Sequence, residues 1–352
     1  MGFDKSENCI HIVYVTPFDR YSWNFVNLVG MRLFNRIFLR NPRFFRWPKP
    51  LKAPISITKA ISEILQKNGY RVSLYHLTEK IDIKPQKGDI LLGHLMPDEG
   101  SVMNKNFANA LFSHKFILSP YNKSITQVGF IEKYMPAADA FFALSGDHWF
   151  NSDTPHPLAG SDKKLVQLNM GIDPSDYPII KTQFNPPGQR RFFYVGRPSR
   201  CGDEKGIAML EELATKSKFL HGGCIFPGQV PGWEVICPPG DLTPNLIKKM
   251  VADKYDFFIN CSEADAQATT VLEAMSWGFP VVCTNESGYI HEQIRTLKVK
   301  DIEHNLKVIE ELQFLPDPAL QNSAKICQGL LHSTYSWKKI QEKFIFEFEK
   351  RI

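Results

Sequence analysis

Two carboxylates and one helix start carry the chemistry most visible in this sequence. In 257-FFINCSEADAQATTVLEAMSWGFPVVCTN-285, Asp265 and Glu273 stand with seven residues between them. An apolar strand at 257–260 runs into a small polar loop. The loop feeds a helix that carries Glu273 on its first or second turn, and a Gly-Phe-Pro break leads into a second apolar strand at 280–284. Helix-start N–H groups near Gln267 to Val271 favour an anion. A carboxylate one turn in can accept from the two vicinal hydroxyls of a ribose, and an acid on the loop can hold another sugar. The pattern suits a phosphorylated, hydroxyl-rich ligand. A strand–loop–helix with an acid at each end is common in α/β proteins, so the bare spacing is weak evidence.

The whole string carries more. It resembles the Glu-x7-Glu segment of retaining GT-B glycosyltransferases, notably glycosyltransferase family 4. There the pattern is Ser-x-x-Glu-Gly-Phe-Gly-x4-Glu-Ala-Met-Ala-x-Gly-x-Pro-Val-Val. Ser262, Glu273, Ala274, Met275, Gly278, Pro280, Val281 and Val282 match it. Asp265 stands in place of the first Glu, and Ala266, Gln267 and Ala268 replace Gly-Phe-Gly. Five further segments fit the same family in order. The stretch 194-YVGRPSRCGDEKGIAML-210 is similar to its Val-Gly-Arg-Leu-x3-Lys-Gly; 138-ADAFFALSGDHW-149 and 168-LNMGIDPSDY-177 have counterparts, as do 284-TNESGYIHE-292, with Gly288 and Glu292, and Tyr335-Ser336-Trp337.

The resemblance implies roles. Glu273 holds the ribose. Arg197 and Lys205 hold the donor diphosphate, with Arg200 a substitute for Lys205, because fixed cations stabilise charge on a departing diphosphate. Asp265 and the Gln267, Ala268, Thr269 and Thr270 loop face the transferred sugar, with Gly196 beside the diphosphate. Asp265, Arg197 and Lys205 form the catalytic set. The reaction is expected to be retaining, with no metal or other cofactor and a UDP- or GDP-sugar as donor. The acceptor side is sparse: no Gly-Gly loop follows the first strand. His94, Asp19, Arg20 and Tyr121 are its candidates, and a structural role for His94 fits equally well. His148 and Trp149 receive no role.

The expected fold is α/β, GT-B: two doubly wound Rossmann-like domains with an interdomain cleft. Apolar strands at 9–16, 71–77, 89–95, 115–120, 140–145 and 165–171 alternate with helical segments such as 54–70. This gives an N-terminal acceptor domain over 1–173. Pro174, Pro178, Pro186, Pro187 and Gly188 mark a linker over 174–190. Strands at 191–196, 223–228, 233–237, 256–261 and 280–284, with helices near 205–219, 243–253, 269–277 and 301–313, give a nucleotide-sugar domain over 191–334. A helix over 335–352 is expected to cross back to the N-terminal domain.

Composition bounds the alternatives. At 352 residues the chain is long enough for two domains, and 43% hydrophobic with 22% charged residues is ordinary for a globular protein. Seven scattered cysteines form no C-x2-C pair. They read as reduced thiols in a cytoplasmic protein. The start, MGFDKSENCIHIVYV, lacks the pattern of a secretory leader. The net charge of +5 is uneven: Arg20 to Ser62 contains no acid. This basic insertion, about 19–53, places Arg32, Arg36 and Arg40 on one helical stripe beside Trp23, Phe34, Ile37 and Phe38. An anionic membrane surface, such as the inner face of a membrane, is one candidate partner; a solvated helix packed on its own domain is an equal one. Nucleic acid is disfavoured without a recognised module. The acceptor is a glycan, a lipid-linked molecule or a small molecule. Three other functions stay open: another GT-B activity such as epimerisation or phosphorolysis, a catalytically silent nucleotide-binding protein, and a membrane- or polyanion-binding protein.

Overall fold

A computed structural model of the chain describes residues 5, 7–16, 40, 42, 47, 53–79, 82–158, 163–196, 204–225, 230–237 and 245–352. Asp19, Arg20, Arg197, Arg200 and nearly all of the basic insertion lie outside the described residues. Arg40 is described. Its guanidinium packs 3.6 Å from the Tyr75 ring centroid and pairs with Glu79 at 2.8 Å.

By contact, the chain divides into two compact units. Unit 1 gathers Met1–Leu144, Thr154–Leu168 and Trp337–Ile352, and unit 2 gathers Ser145–Asp153 and Asn169–Ser336.

In unit 1, β1 (Cys9–Tyr14), β2 (Arg71–His76), β3 (Ile90–Gly93), β4 (His114–Pro120), β5 (Ala140–Leu144) and β6 (Leu165–Leu168) form one parallel sheet in the order β2-β1-β3-β4-β5-β6. The strands are nearly continuous apolar runs because both faces are buried. Ile10, Ile12, Leu91, Leu92, Phe116, Ile117, Phe141 and Phe142 have no exposed surface. Helix α1 (Ile55–Lys67) buries Ile57, Ala60, Ile61 and Leu65 at helical spacing. Helices α2 (Val102–Phe107) and α3 (Ile125–Val128) are short.

In unit 2, α4 (Asp147–Asn151) precedes β7 (Arg191–Val195), α5 (Ile207–Lys216), β8 (His221–Ile225), β9 (Glu234–Cys237), α6 (Asn245–Lys254), β10 (Phe257–Asn260), α7 (Thr269–Ser276), β11 (Val281–Thr284), β12 (Arg295–Leu297), α8 (Ile302–Phe314) and α9 (Asp317–Ser333). Its parallel strands run β12-β11-β10-β7-β8-β9. The last helix, α10 (Trp337–Glu349), belongs to unit 1. It buries Ile340, Phe344 and Phe348 one turn apart, with Phe344 4.9 Å from Phe142 and Phe348 5.1 Å from Phe116 between ring centroids.

Several boundaries differ from the sequence reading. The strand expected over 89–95 closes at Gly93, that over 165–171 at Leu168, and that over 223–228 begins earlier, at His221. The short helices α2, α3 and α4, the strand β12 and helix α9 were not anticipated. The strand β12 has only three residues. Helix α9 hides in a segment rich in Pro, Gln, Asn and Ser, with Gly329 inside it. Its buried face is Leu320, Ala324, Cys327 and Leu331, spaced four, three and four apart, but two of those four are small.

Candidate functional site

In open parallel sheets, ligands sit beyond the carboxyl ends of strands where the strand order reverses. In unit 2 that point lies between β7 and β10. Gly196 follows one of these strands and the loop 261–268 follows the other.

Side chains below the loop fix its start. Asn260 Oδ1 accepts from Ser262 N at 3.0 Å and from Ser287 Oγ at 2.8 Å, and Thr284 Oγ1 donates to Ser262 O. The acidic part of the loop is then held residue by residue. Asp265 N donates to Glu286 O at 2.9 Å, and Asp265 O accepts from Trp149 Nε1 at 2.7 Å. Ala266 O accepts from Gly146 N at 2.8 Å. Gln267 is buried, its Oε1 accepting from Met170 N at 2.5 Å and its Nε2 donating to Asn169 Oδ1 at 3.3 Å. Ala268 N donates to Ser287 O, and Ala268 O accepts from Tyr289 Oη at 2.8 Å. Close backbone approach is part of this packing. Gly288 has φ +96°, and a Cβ there would stand 2.8 Å from Ala266 O.

Every element of this scaffold comes from a segment that the sequence had already singled out: 138–149, 168–177, 284–292 and, through the Tyr289–Tyr335 ring contact at 5.6 Å, Tyr335. Glu292 is the exception. It lies at the opposite, amino ends of the strands, lining a cavity of about 350 Å³ with the strand starts Phe257, Val281 and Arg295.

Helix α7 starts on Ala268, which offers no side-chain cap. Its first N–H groups, at Thr269 and Thr270, therefore lack the usual N-cap Ser, Thr, Asp or Asn oxygen. Glu273 stands in the second turn, where its Oε1 accepts from Tyr177 Oη at 3.4 Å. Tyr177 is tied to the same helix by Ser276 Oγ, which donates to Tyr177 O at 2.7 Å, while Ile180 N and Lys181 N donate to Trp277 O.

Lys205 Nζ pairs directly with Asp265 Oδ2. The two residues are brought together by backbone: Glu204 O accepts from Glu263 N at 2.8 Å, and Gly206, in the left-handed region at φ +65°, packs so tightly that a Cβ would lie 1.7 Å from Cys261 O. Thus Lys205, Asp265, Gln267, Ala268, Thr269, Thr270 and Glu273 lie on one adjoining set of segments. Of these, the Gln267 side chain is turned inward as a staple.

On unit 1, His94 follows β3 at the reversal between β1 and β3. Its Nδ1 bonds Ser119 Oγ at 2.6 Å, and burial pushes its pKa down to about 4. It is neutral at pH 7 and presents a hydrogen bond, not a charge. Because this pKa lies below the unfolded value of about 6.5, the unfolded chain binds the extra proton as pH falls. Unit 1 is expected to lose stability between about pH 6.5 and pH 4, measurable by urea unfolding. Tyr121, an acceptor candidate from the sequence, is buried with its hydroxyl 2.5 Å from His156 Nδ1. The side chain faces inward because the ring packs edge-on against Phe141. Thr16, which the sequence reading passed over, ends up at the same reversal with a buried Oγ1 that has no hydrogen-bond partner among the described residues. Among the described residues, no group of three or more His, Cys, Asp or Glu side chains could hold a metal ion, and no helix is long and apolar enough to cross a membrane.

No protein-family model matches the chain. A stretch of 150 residues is 27% identical to a Bacillus subtilis (strain 168) protein whose name assigns it to teichuronic acid biosynthesis as the glycosyltransferase TuaC; it covers 38% of this chain and 38% of that protein. Solved structures match over nearly the whole length. HepE from Anabaena, in complex with UDP and glucose, is similar over 97% of this chain and 99% of its own, with a TM-score of 0.53 and 11% identity. Sucrose-phosphate synthase from Thermosynechococcus elongatus is similar over 97% and 98%, with a TM-score of 0.54 and 12% identity. The fold is GT-B. At these identities the likeness extends to the fold alone.

Proposed function

We propose that the protein is a glycosyltransferase that moves a sugar from a nucleoside-diphosphate donor to a hydroxyl acceptor. The observation that carries this reading is the juxtaposition, at the strand-order reversal of unit 2, of a lysine–carboxylate pair, an uncapped helix start and a carboxylate one turn further on. In this reading, Glu273 accepts from the ribose hydroxyls. Lys205, Arg197 and the Thr269 and Thr270 N–H groups hold the diphosphate, with Arg200 as the substitute for Lys205 and the Gly196 backbone contributing. Asp265 and Ala268 border the transferred sugar. His94 contributes a neutral hydrogen-bonding group on the acceptor side, together with Asp19 and Arg20.

Charge builds on the diphosphate as the glycosidic bond breaks. A fixed cation and oriented backbone dipoles stabilise that charge without reorganising, which suits a metal-independent reaction. The leaving phosphate can take the acceptor proton on the face it departs from, which suits retention. The acceptor domain is taken as 1–173 and the donor domain as 191–334, joined by 174–190, with 335–352 returning to the acceptor domain. The TuaC likeness supports a sugar-transfer role, and HepE, which binds UDP, supports a uridine donor as the first to test, with a GDP-sugar the second choice. A glycan, lipid-linked or small-molecule acceptor fits, at an inner membrane surface or in the cytoplasm.

The test is a thermal-shift screen in EDTA against UDP, GDP, ADP, CMP and their sugars, followed by assay of nucleoside-diphosphate release from the sugar that binds. Saturable binding with slow release, accelerated by an acceptor extract, is the expected result. Binding with no release under any acceptor favours the silent nucleotide-binding reading instead. The absence of any nucleotide binding refutes the donor site.

A further inference from the structure

The direct pairing of Lys205 with Asp265 has a consequence for which ligand the site prefers. We infer, resting on the donor-site reading above, that Asp265 makes the site select the sugar-bearing donor over the bare nucleoside diphosphate, by competing with the diphosphate for Lys205.

Neither partner can withdraw by moving its backbone. Asp265 is held at both its N–H and its carbonyl, by Glu286 and Trp149, and the following residues are held by Gly146, Met170 and Asn169. Lys205 is flanked by Glu204, bonded to Glu263 and Ala264, and by Gly206, whose backbone touches Cys261 O. Ligand entry therefore exchanges side-chain partners within a fixed frame. The Asp265 side chain is only 16% exposed, and that of Lys205 is 33% exposed.

A diphosphate that takes Lys205 leaves a largely buried carboxylate without its cation and places new negative charge beside it. Breaking a pair in this way costs more than the pair contributes, because the remaining charge is poorly solvated. A bare nucleoside diphosphate offers Asp265 nothing in return. A hexose on the β-phosphate offers hydroxyl donors, and a carboxylate accepting from them regains what it lost. The donor thus satisfies both members of the pair, whereas the product satisfies one. After transfer the sugar has gone, Asp265 reclaims Lys205, and the nucleoside diphosphate is released. Gln267, which staples the loop where the resembling family has a Gly-Phe-Gly segment, keeps Asp265 within reach of the lysine.

The experiment is calorimetric titration of the wild type, Asp265→Asn, Lys205→Gln and Glu273→Ala with UDP and UDP-glucose, and with GDP and GDP-mannose if the uridine pair does not bind. Asp265→Asn keeps the shape and removes the charge. It is expected to bind the bare diphosphate about tenfold more tightly and the nucleotide sugar no more tightly, so that the preference for the sugar-bearing ligand collapses. Lys205→Gln is expected to weaken both ligands. If Asp265→Asn binds the bare diphosphate equally or more weakly, the inference is overturned; loss of binding in Glu273→Ala would then show that the donor-site reading stands without it. If the wild type binds neither pair of ligands, both fall together.

Discussion

Replacing Lys205 with alanine is expected to slow sugar transfer by about 10²–10³-fold at saturating donor. Removing one preorganised group that stabilises a developing charge has this order of effect, because the loss appears only as the bond breaks. The Lys205 side chain is 33% exposed, and the backbone bonds of Glu204 to the loop at Glu263 and Ala264 remain, so the variant should still fold. Lys205→Arg should recover only part of the rate, since a planar fork does not reproduce a compact ammonium. A kcat within twofold of wild type for Lys205→Ala would remove this residue from the reaction and shift the diphosphate contact to Arg197 and Arg200.

The largest stability effect is expected at Asp256, which no catalytic argument touches. Asp256 and the Lys181 ammonium are both buried, with 3.1 Å between Oδ1 and Nζ. The same carboxylate accepts from Asn185 N at 2.8 Å, Asn185 Nδ2 at 2.8 Å and Arg191 N at 2.9 Å. One side chain thus anchors the whole proline-rich segment 181–191 to the start of β10. Burial lowers the Lys181 pKa and the Asp256 charge opposes that shift. Asp256→Ala leaves a buried ammonium and three donors without their acceptor, which costs about 3–5 kcal/mol. Urea unfolding of unit 2 should show this as a lower midpoint. Asp256→Asn should cost less, because its one amide oxygen still accepts from one of the two backbone N–H groups, Asn185 N or Arg191 N. An unchanged midpoint for Asp256→Ala would contradict this account of the 181–191 segment.

Much of the fold was legible because its strands carry β-branched and aromatic runs with Gly, Pro and Asn breaks between them. Both parallel sheets, their αβ alternation and the loop between β10 and α7 follow from that pattern. Helix α9 did not, because Ala324 and Cys327 make a weak apolar stripe. The candidate site was legible in part. Asp265, Glu273 and Lys205 were singled out through the family resemblance of the segments that carry them, not by their spacing alone. Gln267 has the same visible polarity, but its partners, Asn169 and Met170, lie about a hundred residues earlier, and only the folded chain shows that it is a staple. Trp149 and Tyr177 were hidden for the same reason: an indole or a phenol in a motif-like segment reads as core until its polar atom is found on Asp265 O or Glu273 Oε1.

The central claim, that Glu273 holds the ribose of a nucleotide donor, is tested most directly by a cycle of one mutation and one ligand change. Wild type and Glu273→Ala would be titrated with a nucleoside diphosphate and with its 2′,3′-dideoxy analogue. Two hydrogen bonds to a carboxylate amount to about 3 kcal/mol, so the wild type should bind the full nucleotide roughly a hundredfold more tightly than the analogue. The variant should bind the two alike. A wild type that does not distinguish the ligands, or a variant that still does, would contradict the account.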